Sequence, residues 1–280
     1  MKNPNLFNEN EIKRNLKQPL QKKVSLKIFG SLDSTNNQAK KFVQRHQQKN
    51  NTIVTNEMIV FAADSQLAGR GRRGHSWFSS DPAGVAVSFL FQVKNNIDQI
   101  PQITAAAALA VKETFEFFNL KTKLKWPNDI LVNNKKICGI LSELFFNSKR
   151  ESFVVIGCGI NLNNTVFSSK IGKIATSYYL EKNKKVAKNL FLTELIEKMN
   201  YYIKNYLSSR ERIISSWKKE LNLIGKKIDF NFKNREYIGV IKDVLDSGEL
   251  LMVFDNGQEK TLQSANTSLD YQSLQEYNND

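Results

Sequence analysis

The spacing of apolar residues changes several times along this chain, and each change marks an element. Residues 24–29 alternate like a strand, and Asp33-Ser34-Thr35 then offer side-chain oxygens to cap a helix reaching about Gln47. Residues 58–64 and 85–93 are apolar runs of strand length. Residues 103–118, ITAAAALAVKETFEFF, read as a strong helix whose small residues allow close packing on a sheet. Residues 136–146, KICGILSELFF, and 152–162, SFVVIGCGINL, read as two buried strands joined by a polar turn. Gly139, Gly157 and Gly159 inside them point to close approach of a ligand or another backbone. Residues 174–180 form a short piece compatible with helix. Leu192, Leu195, Ile196, Met199, Ile203 and Tyr206 then recur at helical spacing across residues 186–207. A further helical stretch at 213–223 should pack beside that helix.

Beyond Gly225 the character changes to short alternating runs at 226–232, 236–244, 249–254 and 259–263. Lys233-Asn234, Asp246-Ser247-Gly248 and Asp255-Asn256-Gly257 separate them as turns. That pattern predicts a small SH3-like β-barrel of about five strands over 224–275. A larger domain is expected over 24–223, preceded by a polar, basic segment at 1–23 read as a tail or a short helix.

Between strands 58–64 and 85–93 lies the densest chemistry, AADSQLAGRGRRGHSW at 62–77. Glycines let a backbone close around a ligand, and arginines supply fork-shaped donors for phosphate or carboxylate. The run Gly69-Arg70-Gly71-Arg72-Arg73-Gly74 matches the dinucleotide fingerprint G-x-G-x-x-G, but the fingerprint needs a helix to follow it. Here Trp77 to Pro82 lead into another strand, so the match fails on context. The loop reads instead as a holder for an anionic small molecule; an exposed basic hairpin that touches nucleic acid is the alternative. In Lys125-Trp126-Pro127-Asn128-Asp129, the proline ends any helix and disfavours a central ladder position, which sets Asn128 and Asp129 at a strand end.

Composition narrows the class. The chain has 280 residues, 41% of them hydrophobic, enough for a substantial core. No apolar run is long enough to span a bilayer, and the N-terminus has no apolar segment typical of a secretory signal. Cys138 and Cys158 lie in apolar stretches without metal-ligand spacing, so two reduced core thiols in a cytoplasmic protein are expected. The net charge is +14, yet the lysines are dispersed and no helix or ribbon concentrates them. Specific DNA binding is therefore not expected, and membrane association is not expected either.

Five motifs in register carry a family resemblance. Asp33-Ser34-Thr35-Asn36, Gln66 through Trp77, Lys125 through Asp129, Lys136-x-x-Gly139-Ile140-Leu141 and Gly157-x-Gly159-Ile160-Asn161 together resemble the biotin protein ligases, the biotin–[acetyl-CoA-carboxylase] ligases. The likeness runs from about residue 25 to the C-terminal barrel. It implies an α+β fold: a class II aminoacyl-tRNA synthetase-like mixed β-sheet flanked by helices, plus the SH3-like barrel. It implies two steps, biotinyl-5′-adenylate formation from biotin and ATP with Mg²⁺, then transfer to a lysine of the biotin carboxyl carrier protein of acetyl-CoA carboxylase. A monomer or a homodimer is compatible with the resemblance.

Carried over by position, Ser34, Thr35, Asn36 and Gln66 would bind biotin, with Gly69, Arg70, Gly71 and Gly139 lining its pocket. Lys136 and Arg72 would act as catalytic cations that also touch biotin. Arg70, Arg72, Arg73, His75, Asn128 and Asn161 would meet ATP or the adenylate, and Asp129 would hold Mg²⁺. Two anions repel when a carboxylate approaches an α-phosphate, so cations bridging both lower the barrier. Trp77 and Trp126 read as core residues, with a shield over the intermediate as the alternative. The family usually has a basic residue after Gly74, and His75 stands there instead. The resemblance also implies a ligase without the DNA-binding domain of repressor-type members. A lipoate or octanoate ligase or transferase of the same superfamily is the nearest rival, and a basic nucleic-acid-binding protein the rival of another class.

The glycines of the loop imply mobility when empty and ordering over an adenylate. Limited proteolysis between Arg70 and Arg73 should accordingly slow in the presence of biotin plus ATP. Equal cleavage rates in both conditions would remove the lid from the scheme.

Overall fold

The computed structural model describes residues 6–48, 58–79, 81–93 and 100–278; the first five residues of the expected tail lie outside them. Two short helices, α1 (Glu9–Asn15) and α2 (Leu20–Lys23), come first. They bury Ile12, Leu16 and Leu20, and α1 packs on α6 (Lys188–Ser208), so most of this segment belongs to the folded body. The Asn8 side chain caps α1 by accepting from Glu11 N–H at 3.0 Å.

A seven-stranded mixed sheet forms the middle layer. It contains β1 (Val24–Leu32), β2 (Met58–Gln66), β3 (Val85–Val93), β4 (Lys123–Lys125), β5 (Asp129–Val132), β6 (Lys135–Phe146) and β7 (Ser152–Ile160), in the order β1-β2-β3-β7-β6-β5-β4. The β1–β2 pair is parallel and the other pairs are antiparallel. A two-residue turn joins β5 to β6. Asn133 (φ 48°) and Asn134 (φ 62°) both take the left-handed conformation that such turns require.

Each face of the sheet receives different cover. On one side α3 (Thr35–Gln48) sets Ala39 and Val43 against Ile59, Phe61, Leu90, Phe153 and Val155. On the other, α4 (Ile100–Phe117) buries an unbroken run from Ala105 to Val111, and these small side chains let it lie close to β6. Next come α5 (Tyr178–Lys182), α6 and α7 (Arg210–Leu221); α6 and α7 pack on α4 as an outer layer.

A second sheet closes the chain, with β8 (Lys227–Phe232), β9 (Arg235–Val244), β10 (Leu250–Phe254), β11 (Glu259–Leu262) and β12 (Thr267–Leu269) in the order β11-β10-β9-β8-β12. The short helix α8 (Ser273–Asn278) packs on β8. The turn signals expected from the sequence sit where they should: Lys233 and Asn234 have positive φ, as do Gly248 and Gly257. Trp126 joins the two sheets. Its indole N–H donates to Gly248 O at 2.9 Å, and its backbone N–H donates to Tyr271 Oη at 2.7 Å. The fold is thus α+β, a mixed sheet flanked by helices with a small C-terminal β domain.

One buried ion pair anchors the N-terminal segment. Lys188 is fully buried; its Nζ lies 3.1 Å from Asp64 Oδ1, donates to Pro82 O at 2.9 Å and sits 3.9 Å from the centre of the Phe7 ring. Asp64 Oδ1 also accepts the Phe7 N–H at 2.9 Å. Burial draws the Lys188 ammonium below its ordinary pKa, against the opposing pull of Asp64 and Asp81. Removing one partner of such a pair leaves a buried charge uncompensated. Asp64→Asn should therefore lower the unfolding free energy by about 3 kcal/mol, read from urea denaturation; a loss below about 1 kcal/mol would show that this pair contributes little.

Candidate active site

The cavity arises where α3 stops. On the face that α3 covers, β7 presents Phe153, Val155, Gly157 and Gly159 in turn, β3 presents Leu90, Ser88 and Ala86, and β6 presents Phe145, Glu143, Leu141 and Gly139. Large apolar residues lie under the helix; polar residues and glycine follow beyond its first turn. A cavity of about 370 Å³ opens at that boundary. Its lining includes Ser34, Thr35, Asn36, Gln66, Arg70, Gly71, Arg72, Arg73, His75, Asn128, Asp129, Lys136 and Gly139, joined by Thr267, Ser268 and Leu269 of the small β domain.

The glycines clear room for side chains of this same chain. A Cβ on Gly157 would collide with the amide of Asn36, and one on Gly159 with the indole of Trp77. At Gly139 the added carbon would come within 3.2 Å of Trp77 Cζ3 and 3.0 Å of Lys136 Nζ. Trp77, expected in the core, is instead half-buried and forms a cavity wall, whereas Trp126 is buried as expected. Two nominated residues do not line the cavity. Gly69 is needed for close backbone approach, since a Cβ there would collide with Trp77 O. The Asn161 amide donates to Thr176 O at 3.0 Å and to Lys136 O at 3.5 Å, so it braces the wall behind Lys136.

A polar network occupies the first turn of α3. Gln66 Oε1 accepts both the Thr35 N–H, at 2.8 Å, and the Thr35 hydroxyl, at 3.1 Å. Ser88 Oγ lies between Thr35 Oγ1 at 2.7 Å and Asn36 Oδ1 at 2.6 Å. Asn36 Nδ2 donates to Leu141 O at 3.2 Å and to Glu143 Oε2 at 2.8 Å. Ser88 and Glu143 were not foreseen. Their signal in the sequence is a lone serine inside VAVSFLFQV and a lone carboxylate inside KICGILSELFF.

The arginine loop is tied on both sides. Arg70 Nη2 reaches the Glu143 carboxylate at 3.1 and 3.2 Å. Arg72 donates to Asn128 Oδ1 at 3.2 Å, Ser264 O at 3.0 Å and Ser264 Oγ at 2.7 Å. Arg73 donates to Ser264 O at 2.5 Å and Thr267 O at 2.8 Å. The small β domain thus holds two arginines of the larger domain at the cavity rim. Burial lowers the Arg72 pKa and the neighbouring Arg73 charge adds to that, while Asp129 opposes both. His75 is exposed at the rim, its carbonyl accepting from Gly71 N–H at 2.7 Å.

Lys136 enters from the start of β6. Its Nζ lies 2.7 Å from Asp129 Oδ1 and 5.4 Å from the Trp77 ring centre, a cation held between a carboxylate and an aromatic face. Asn128 Nδ2 donates to Ile140 O at 2.7 Å, which fixes the amide so that its oxygen meets Arg72. No group of three or more His, Cys, Asp or Glu fit to hold a metal occurs among the described residues. Mg²⁺ is commonly bound by one or two carboxylates together with substrate phosphates, and Asp129, a carboxylate lining the cavity with Lys136 and Arg72, is compatible with that mode. Burial pushes the Cys158 thiol up to about 12 and raises Cys138 well above the ordinary range, in keeping with two inert core thiols.

Fold and cavity together define an α+β ligand-binding protein whose site pairs a polar recognition wall with a cluster of cations. Residues 29–161 match the model of the biotin/lipoate A/B protein ligase family. The bifunctional ligase/repressor BirA of Bacillus subtilis is 30% identical over 264 residues, 93% of this chain and 78% of that protein. The biotin–[acetyl-CoA-carboxylase] ligase of Mycobacterium tuberculosis is 26% identical, over 69% of this chain and 73% of that protein. Among solved structures, biotin protein ligase from Aquifex aeolicus in complex with biotin and ATP superposes with a TM-score of 0.70 at 24% identity, covering 88% of this chain and 98% of that one. The chain belongs to the biotin protein ligase family, and it is a ligase. No helix among the described residues is long and apolar enough to cross a membrane.

The cleared floor of the cavity is open to a direct test. Gly159→Ala should displace the Trp77 indole toward solvent and red-shift its share of the tryptophan emission, with Trp77→Phe identifying that share. An unchanged spectrum would mean that Trp77 does not rest on the glycine floor.

Proposed function

We propose that this protein is an ATP-dependent biotin protein ligase that makes biotinyl-5′-adenylate and transfers biotin to one lysine of the biotin carboxyl carrier domain of acetyl-CoA carboxylase. The observation that carries the proposal is convergence: Lys136, the arginine loop and the first turn of α3 line one cavity, in a chain of this family.

In the first step a carboxylate oxygen of biotin attacks the α-phosphorus of ATP. The bond from that phosphorus to the β-bridging oxygen breaks, and pyrophosphate leaves with the electron pair. Both reactants are anionic, so the step needs positive charge between them. Lys136 is the compact charge suited to bridge carboxylate and α-phosphate; moving onto them, it would exchange Asp129 for stronger anionic partners. Arg72 is held rigidly by Asn128 and Ser264, so little side-chain freedom is lost when it meets phosphate oxygens. Mg²⁺ bound with the phosphates and Asp129 would supply further charge neutralisation there.

Thr35, Asn36 and Gln66 form the wall suited to the ureido ring, where a ligand lacking the matching groups leaves buried polar atoms unpaired. In the second step the ε-amine of the acceptor lysine attacks the acyl carbon. AMP leaves, the amine gives up a proton and an amide forms. Trp77 over the glycine floor shields the anhydride side of the cavity from water. The names of the Mycobacterium tuberculosis relative and of the Aquifex aeolicus structure specify biotin rather than lipoate, so the lipoate reading is the less favoured.

Biotin-dependent ATP–pyrophosphate exchange followed by transfer to a carrier domain tests the whole proposal, and lipoate-dependent exchange without biotin-dependent exchange would replace it. In the same assay Lys136→Ala should lose about 10²- to 10³-fold in exchange rate with its melting temperature retained. Near-normal exchange by that variant would take Lys136 out of the mechanism.

A further inference from the structure

Glu143 gathers donors from both sides of the cavity. It stands on β6 with its side chain 22% exposed. Lys40 Nζ reaches it at 2.7 Å, Asn36 Nδ2 at 2.8 Å and Arg70 Nη2 at 3.1 Å. Two of these donors lie on α3 and the third on the arginine loop. Burial works to raise the Glu143 carboxyl, but hydrogen bonds from Lys40 and Asn36 and the charges of Lys40 and Arg70 outweigh it. The group is held below the usual carboxylate range and is ionised at neutral pH.

An ionised carboxylate only accepts hydrogen bonds, and so does the Leu141 carbonyl. Asn36 must therefore turn Nδ2 toward them, which leaves Oδ1 facing the Ser88 hydroxyl at 2.6 Å. At the far end the Thr35 N–H only donates, so Gln66 must turn Oε1 toward it. With that oxygen committed, Gln66 has only Nε2 hydrogens left for the cavity it lines. The polarity of the wall is thus pinned at two ends, by a carboxylate and by a backbone donor, with Ser88 and Thr35 between them.

We propose that Glu143 is a positioning residue: it fixes the orientation of Asn36 in the recognition wall and couples that wall to Arg70 of the loop. The ligand in this proposal rests on the reading of biotin above. Glu143 itself is not among the residues lining the cavity and acts through Asn36 and Arg70.

Isothermal titration of biotin into full-length protein, alongside the KM for ATP in exchange assays, separates positioning from general loosening. Glu143→Ala should weaken biotin binding about tenfold, the scale of one hydrogen bond to a charged group, and should raise the ATP KM by a smaller factor through the released Arg70. Glu143→Gln keeps an acceptor for Asn36 and should recover most of the biotin affinity. The proposal is overturned if Glu143→Ala binds biotin like the wild type, if the ATP KM rises by as large a factor as biotin binding weakens, or if Glu143→Gln is no better than Glu143→Ala. A second readout needs no ligand. In ¹⁵N spectra the Asn36 side-chain amide resonances should move in Glu143→Ala, and unmoved resonances would remove Glu143 from the network. If the wild type fails to bind biotin while those resonances do move, the functional reading falls and the positioning role stands.

Discussion

Everything at this site depends on where one face of the sheet stops carrying side-chain volume. Protein interiors fill at near-crystalline density, so a cavity persists only if something keeps neighbours from collapsing into it. Along β7 the side chains shrink from Phe153 and Val155 under α3 to Gly157 and Gly159 just beyond its first turn. The sheet backbone supports the floor, and the end of α3 stands as a wall. Asn36 and Trp77 then lean over the glycines at distances that no Cβ would allow. Helix end, glycine pair and overhanging side chains form one device, and none of the three works alone.

A second constraint is electrostatic. Cations gathered for an anionic ligand repel one another, and here each has an internal acceptor. Lys136 has Asp129, Arg70 has Glu143, and Arg72 and Arg73 share carbonyls of the small β domain. Lys136 and Arg70 thus face carboxylates, whereas the carbonyl dipoles hold Arg72 and Arg73 in place while leaving their charge intact. The small β domain is therefore part of the site rather than an appendage. It reaches the loop through Ser264 and Thr267 and reaches the KWPND segment through Gly248 and Tyr271.

Much of the fold was legible in the sequence because its signals are local. An apolar run of strand length marked β3 over the same residues that the structure assigns, helical spacing marked α6, and turn residues marked the hairpins of the small β domain. Of the short strands β4 and β5, three and four residues long, only the strand end at Asn128-Asp129 was legible, and β5 does begin at Asp129. The first 23 residues offered too few apolar positions for a periodic signal. Phe7, Ile12, Leu16 and Leu20 nonetheless find the core, because α6 and the Lys188–Asp64 pair supply what the segment lacks. Within the site, motif residues such as Thr35, Gln66, Arg72 and Lys136 could be named in advance and do line one cavity. Trp77 was misplaced in the core, since an aromatic residue after a loop gives no sign of which surface it will cover.

The amino-acid order alone carries the succession and type of the major elements, the glycine-rich loop with its arginines, and the family to which these motifs point. Those are properties of backbone preference and short spacing, carried within a few neighbouring residues. What holds each functional side chain emerges with the folded chain. Glu143 is 73 residues from Arg70 in the chain, and Ser264 is 192 from Arg72. Such partners meet through sheet register and domain packing, and no local rule of sequence encodes a contact between groups that only folding brings to hydrogen-bonding distance.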